Sequence, residues 1–274
     1  MEDQKIKKVV REAYGKIAKE KTGCGCSCST CDSDTEQFVK SIGYTDKELA
    51  SIPRESNLGL SCGNPTAIAN LKEGETVLDL GSGAGFDCFL AASKVGKSGK
   101  VIGIDMTPEM VEKARMNAES NEIKNVEFRL GEIEHLPVAD NSVDIVISNC
   151  VINLSSDKSK VFKEIFRVLK PNGRIAISDI ALKKELPKEI RQNVKAYVGC
   201  IGGAILIDSY KNIAEASGLT DIKITIKGTS NCVDSNTKDP IGREILDCLG
   251  DGESLDDYVV SINVEGHKHE NRLG

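Results

Sequence analysis

The sequence predicts an α/β fold built on a doubly wound, mostly parallel sheet, and three observations carry that expectation. Short apolar runs of strand length recur at residues 77–80, 101–105, 126–130, 143–148 and 174–179. Helical stretches separate all but the third and fourth, and such alternation folds into parallel βαβ units. The first run opens into a glycine loop, G-S-G-A-G at residues 81–85, and the second ends in Asp105, 20 residues past Gly85. An acid at that place stands on the carboxyl rim of such a sheet, where ribose hydroxyls are bound.

The loop narrows the choice of ligand. Its glycines let the backbone turn sharply and come close to a bound molecule. The helix that follows, to Val95, aims its positive N-terminus at the same place. The spacing is G-x-G-x-G rather than the G-x-G-x-x-G of a dinucleotide site, and Asp79 stands just before it. A pyrophosphate wants free amides, whereas an acid suits a cationic, phosphate-free ligand that carries an amino group. S-adenosylmethionine is such a ligand.

The remaining elements follow in order. Ile6, Val9, Val10, Ala13, Tyr14 and Ile17 recur at helical spacing with basic residues opposite, which predicts an amphipathic helix over residues 1–20 laid on the main domain. Residues 23–31 read G-C-G-C-S-C-S-T-C. Such a cluster fits a mobile thiol arm or a metal knuckle, although the second, distant pair of a zinc site is missing, and it also fits no function. A short helix is expected within residues 43–55, then a glycine-rich loop at 57–65 that carries Cys62. Beyond the first two strands we expect a helix at 107–120, with Pro108 in its first turn, and a loop at 131–139. Further helices are expected at 157–169, 187–198 and 209–217, and a last strand at 221–226. Cys200 lies in G-C-I-G-G, residues 199–203. The rhythm fades after Gly228. The expected division is therefore an N-terminal segment, 1–66, a core, 67–227, and a small C-terminal appendage, 228–274.

Composition excludes several classes of function. A chain of 274 residues holds one sizeable α/β domain and a smaller addition. With a net charge of −6 and no basic stripe interleaved with aromatics, nucleic acid is not an expected partner. No apolar run reaches membrane-spanning length, and no export signal is visible, so a soluble cytoplasmic protein is expected. Ten cysteines without an export signal point to metal, metalloid or redox chemistry rather than a disulfide scaffold. The only histidines, 135, 267 and 269, are too few for a His-rich metal centre.

Three cysteines are placed to act together. Cys150 directly follows the fourth strand, so its sulfur belongs on the rim beside the glycine loop. Cys62 lies on the approach to the first strand and Cys200 on the excursion after the fifth. Both of those loops can fold over the same rim. For each thiol alone, simple burial is the competing reading. Cys88, one residue into the first helix after Asp87, is read as packing, and Cys232 and Cys248 are left unassigned.

Several segments together resemble one family. D-L-G-S-G-A-G-F-D-C, G-I-D-M-T-P-E-M, E-I-E-H-L-P, S-N-C-V-I-N-L and Y-V-G-C-I-G-G-A are similar to the microbial arsenite S-adenosylmethionine methyltransferases, from the N-terminal helix to about residue 226. The resemblance implies a Rossmann-like class I methyltransferase core and arsenic-binding thiols at Cys62, Cys150 and Cys200. It also implies a fourth, more N-terminal thiol at Cys31 or Cys28. Asp79, Leu80 and the loop Gly81, Ser82 and Gly83 would orient the methionine end of the cofactor. Asp105, with Met106 and Thr107, would bind the ribose, Ile133 and Glu134 would flank the adenine, and Asn149 would help position the cofactor.

The chemistry so implied is compact. Trivalent arsenic is soft and prefers thiolates. Each As–S bond formed from arsenous acid releases water, and three thiolates leave pyramidal arsenic with a lone pair. That lone pair is the nucleophile and needs no general base. Arsenite and methylarsenite are the expected acceptors, and their methylation serves detoxification. Methyl transfer formally oxidises arsenic, and a thiol pair such as Cys31 with Cys62 returns it to the trivalent state by forming a disulfide. Thioredoxin or glutathione would then reduce that disulfide. The rival readings are a methyltransferase acting on a quinone-like small molecule and a non-catalytic thiol protein that binds metalloids.

Overall fold

The computed structural model describes residues 3–20, 32–228, 249 and 252–270. Helix α1 (Asp3–Glu20) turns Ile6, Val10 and Ala18 inward and lies across the top of the domain. Next come α2 (Asp32–Ser41), α3 (Asp46–Ala50) and the single turn α4 (Pro65–Ile68). Thr45 and Glu48 form a reciprocal capping box that fixes the start of α3. Asn64 caps α4 through the Ala67 amide.

The core follows as β1 (Thr76–Leu80), α5 (Phe86–Val95), β2 (Lys100–Asp105), α6 (Pro108–Ser120), β3 (Val126–Leu130), β4 (Val143–Asn149) and α7 (Lys158–Val168). Then come β5 (Leu169–Leu182), α8 (Lys188–Gln192), α9 (Val194–Val198), α10 (Ile207–Ala216), β6 (Thr220–Gly228) and β7 (Val259–His267). The sheet has seven strands among the described residues, in the order β3-β2-β1-β4-β5-β7-β6. Strands β1 to β5 pair in parallel, and β7 pairs antiparallel to both β5 and β6. Val77, Leu78 and Leu80 of β1 have no exposed surface, as expected of a strand covered on both faces. Each such side chain contributes about 1.5–3 kcal/mol on burial.

Three elements differ from the sequence reading. Strand β5 begins at Leu169 and runs through Pro171-Asn172-Gly173 with a register shift. The irregular stretch is held from outside, because the Asn172 amide donates to Lys268 O at 2.7 Å and the Lys268 amide to Gly173 O at 2.8 Å. The helix expected at 187–198 is two short helices, broken where Asn193 takes up an extended conformation. Residues 259–267, assigned to an appendage, form a strand inside the sheet. The cysteine cluster at 23–31, with Cys28 and Cys31, and also Cys232 and Cys248, lie outside the described residues. Among the described residues no helix is long and apolar enough to cross a membrane.

Candidate active site

The carboxyl ends of β1, β2 and β4 form the floor of a cavity that α1 roofs with Lys7, Val10 and Tyr14. Gly81, Ser82 and Gly83 form its inner wall. Gly83 has φ +51°, and a Cβ there would meet nothing within 4 Å, so the loop opens onto free space that a ligand can fill. Ser82 Oγ is buried without a hydrogen-bond partner. Asp105 accepts from the Gly83 amide at 3.0 Å and the Thr107 amide at 2.8 Å, which fixes its carboxylate between loop and helix. Met106, Thr107, Ile133 and Glu134 also line the cavity. Glu134 accepts from Ser155 Oγ at 2.6 Å and pairs with Lys7 at 3.3 Å. Leu80 is buried within β1 and is absent from the lining.

The wall is markedly acidic. Asp79, Asp87, Asp105 and Glu134 line the cavity, and among the described lining residues Lys7 is the one cation. Burial pushes the Asp79 carboxyl well up, and the neighbouring Asp87 adds to the effect. Burial also raises Asp105, against the hydrogen bonds it accepts from backbone amides. A ligand that brings positive charge relieves these acids, whereas a pyrophosphate would aggravate them. A sulfonium and an ammonium, as S-adenosylmethionine carries, fit this wall.

Cys62, Cys150 and Cys200 stand together beside that cavity, and of the three only Cys150 lines it. The sulfurs of Cys62 and Cys150 are joined in a disulfide across 88 residues of sequence, with Cα atoms 5.8 Å apart. Cys200 Sγ donates to the Cys150 carbonyl at 2.9 Å. Cys150 and Cys200 both hold left-handed backbone conformations, φ +58° and +65°. Non-glycine residues adopt that region at a cost and are found there where surrounding structure imposes it. Cys150 lines the cofactor cavity, while Cys62 lines a second cavity of about 480 Å³ beyond it. The linked pair therefore stands in the wall between the two. Among the described residues no three His, Cys, Asp or Glu side chains stand ready to hold a metal ion. The three loops meet, and two of the three sulfurs are bonded to each other. Cys88 is buried in α5 and donates to Asp79 at 3.2 Å, in keeping with a packing role.

The chain matches the methyltransferase domain family model over residues 71–218. It is 42% identical over 274 residues to an arsenite methyltransferase of Halobacterium salinarum, covering 97% of this chain and 67% of the relative. It is 34% identical to the human arsenite methyltransferase, covering 90% of this chain and 66% of the relative. The chain belongs to the arsenite methyltransferase family. Among solved structures it is similar to an arsenic (III) S-adenosylmethionine methyltransferase from Chlamydomonas reinhardtii, with TM-score 0.61 and 29% identity. That match covers 86% of this chain and 74% of the other. The chain thus spans about two thirds of the length of the archaeal and human relatives.

Within this member of the arsenite methyltransferases, two buried polar networks surround the cysteines, and sequence reasoning missed most of their members. Asn149 borders the cofactor cavity, yet its side chain is turned to the Cys62 loop rather than committed to a cofactor. Its Oδ1 accepts from the Cys62 amide at 3.0 Å, and its Nδ2 lies within 3.0 Å of Tyr44 Oη, Gly63 O and Asp87 Oδ2. The second network lies under Cys200. Asn153 donates to Asp179 at 2.8 Å and to Ile180 O at 2.7 Å, and Tyr210 donates to Asp179 at 3.2 Å. Lys158 donates to Ser155 O at 2.9 Å. Burial lifts Asp179 to about 7 and lowers Lys158 to about 8. The only signal in the sequence was a charge within an apolar run, as in F-D-C-F-L and I-S-D-I-A.

Proposed function

We propose that this chain transfers methyl groups from S-adenosylmethionine to trivalent arsenic held by Cys62, Cys150 and Cys200. One observation carries the reading: three cysteines from separate loops meet beside an acidic cavity suited to a sulfonium. When bound, the co-substrate supplies an electrophilic methyl group. The tasks of the chain are to hold arsenic, to exclude water beneath α1, and to aim the arsenic lone pair at that methyl. Alignment within about 3–3.5 Å gives most of the rate advantage such a site can offer.

Arsenic enters only after the Cys62–Cys150 bond is cleaved. Two equivalents of a small thiol, or one dithiol, release both cysteines and leave as the corresponding disulfide. Exchange with arsenous acid then forms three As–S bonds and releases three waters. The second cavity gives a thiol access to the Cys62 sulfur without passing the cofactor. Arsenite and methylarsenite are the acceptors, and thioredoxin or glutathione supplies the reducing thiols. After transfer, the thiol of Cys31 or Cys28 attacks the arsenic-bound Cys62 sulfur. An S–S bond forms, the As–S bond breaks with its electron pair left on arsenic, and a proton is released. Arsenic is then trivalent again, and the same external thiols reduce the new disulfide.

The test is turnover of the reduced protein with arsenite and S-adenosylmethionine. Methylated arsenicals should accumulate with one S-adenosylhomocysteine per methyl group, and Cys150→Ser and Cys200→Ser should each abolish them. Full activity of the Cys150 variant on trivalent arsenicals would refute the assignment.

A further inference from the structure

The Cys62 loop, residues 57–64, lies outside the sheet, and a polar cluster ties it to β4 and α5. Tyr44 is at its centre. The residue is buried, stands between α2 and α3, and lines neither cavity. Its hydroxyl lies 2.8 Å from Asp87 Oδ1, 2.9 Å from Gly63 O and 3.0 Å from Asn149 Nδ2. The hydrogens can be counted. Tyr44 offers one and the Asn149 amide two; Asp87 Oδ1, Asp87 Oδ2 and Gly63 O accept them. With Asp87 ionised every hydrogen has an acceptor, and Asn149 Oδ1 remains to take the Cys62 amide. The Cys62–Gly63 peptide is thereby held at both its N–H and C=O neighbours.

We propose that Tyr44, through Asn149 and Asp87, is a positioning residue that holds Cys62 as the third arsenic ligand and so decides whether inorganic arsenite is accepted. The proposal rests on the assignment of Cys62 as an arsenic ligand above. Its chemistry follows from valence. Arsenous acid carries three exchangeable hydroxyls and needs three sulfurs for full thiolate coordination; each exchange turns S–H and As–OH into As–S and water. Methylarsenite carries two hydroxyls and one As–C bond, so two sulfurs suffice. Cys150 at the end of β4 and Cys200 after α9 are packed into the domain. Cys62, on its tethered loop, is the sulfur whose placement depends on Tyr44. Loosening it should therefore separate the two acceptors rather than lower both.

The experiment measures kcat/KM of the reduced, full-length protein for arsenite and for methylarsenite in Tyr44→Phe, with Cys62→Ser beside it. The ring of Tyr44 packs edge-on against Phe86, and Tyr44→Phe keeps that contact. We expect about a tenfold or greater loss with arsenite, as removal of a buried hydrogen bond to a charged group allows. Methylarsenite turnover should stay within about twofold, a split shared with Cys62→Ser. Gly63→Ala is the second variant, since its Cβ would lie 2.8 Å from Ser178 Cβ and push the same loop aside from the opposite face. If Cys62→Ser splits the acceptors while Tyr44→Phe and Gly63→Ala treat them alike, the role of Tyr44 is overturned and Cys62 stands. If Cys62→Ser shows no split, its assignment as third ligand falls, and this inference with it.

Discussion

Gly203→Ala should cripple methyl transfer while sparing cofactor binding. Gly203 packs against the peptide after Asn153. A Cβ there would stand well inside contact with Asn153 O, 3.1 Å from its carbonyl carbon and 3.2 Å from Tyr197 Cε2. Carbon and oxygen rest at about 3.3 Å or beyond, so one side must retreat by roughly 1 Å. Asn153 cannot easily yield, because its side chain is bonded to both Asp179 and Ile180 O. The loop that carries Cys200 moves instead, and the 2.9 Å bond from Cys200 to Cys150 O breaks. A misplacement of about 1 Å near reacting atoms costs about 10²-fold in rate. The assay is single-turnover methylation of pre-bound arsenite, with S-adenosylmethionine affinity measured alongside. A Gly203→Ala protein that methylates within about twofold of wild type contradicts the geometry described for this loop.

Three other outcomes follow from the same contacts. Asp105→Ala removes the carboxylate anchored by Gly83 and Thr107, and S-adenosylmethionine binding by calorimetry should weaken by about tenfold or more; unchanged affinity excludes a ribose contact. Lys158→Met removes a cation whose charge favours ionised Asp179 and should cost at most about 3 kcal/mol in urea unfolding, of which Lys158→Met with Asp179→Asn regains a part; a double variant no better than the single contradicts that coupling. Burial raises Asp87 from 3.8 to about 6, so the folded form holds its proton more tightly than the unfolded chain. That contribution is full below about pH 4 and is lost as pH rises through 6, by at most about 3 kcal/mol. Asp87→Asn should flatten the stability profile between those values, and an unaltered slope rules the shift out.

Features that depend on neighbours in the chain were legible. The glycine loop, Asp105 and the helix from Pro108 are set by residues a few positions apart, and the structure places them within a residue or two of expectation. The meeting of Cys62, Cys150 and Cys200 is different in kind, since 88 residues separate the first two. Spacing brought them only to the same rim, and the resemblance of S-N-C-V-I-N-L and G-C-I-G-G-A joined them. Tyr44 was invisible because its partners lie 19, 43 and 105 residues away. A lone tyrosine in G-Y-T carries no periodicity to betray it. Strand β7 was missed for a related reason. It pairs antiparallel between β5 and β6 and lies beyond Gly228, where the alternation of strand and helix that revealed its neighbours fades from the sequence.

The most direct measurement of the central claim is arsenic K-edge X-ray absorption on the reduced protein loaded with one equivalent of arsenite. Three sulfur neighbours in the wild type, and fewer in each of Cys62→Ser, Cys150→Ser and Cys200→Ser, is the predicted result. Oxygen-dominated coordination, or a sulfur shell that none of the three substitutions alters, contradicts it.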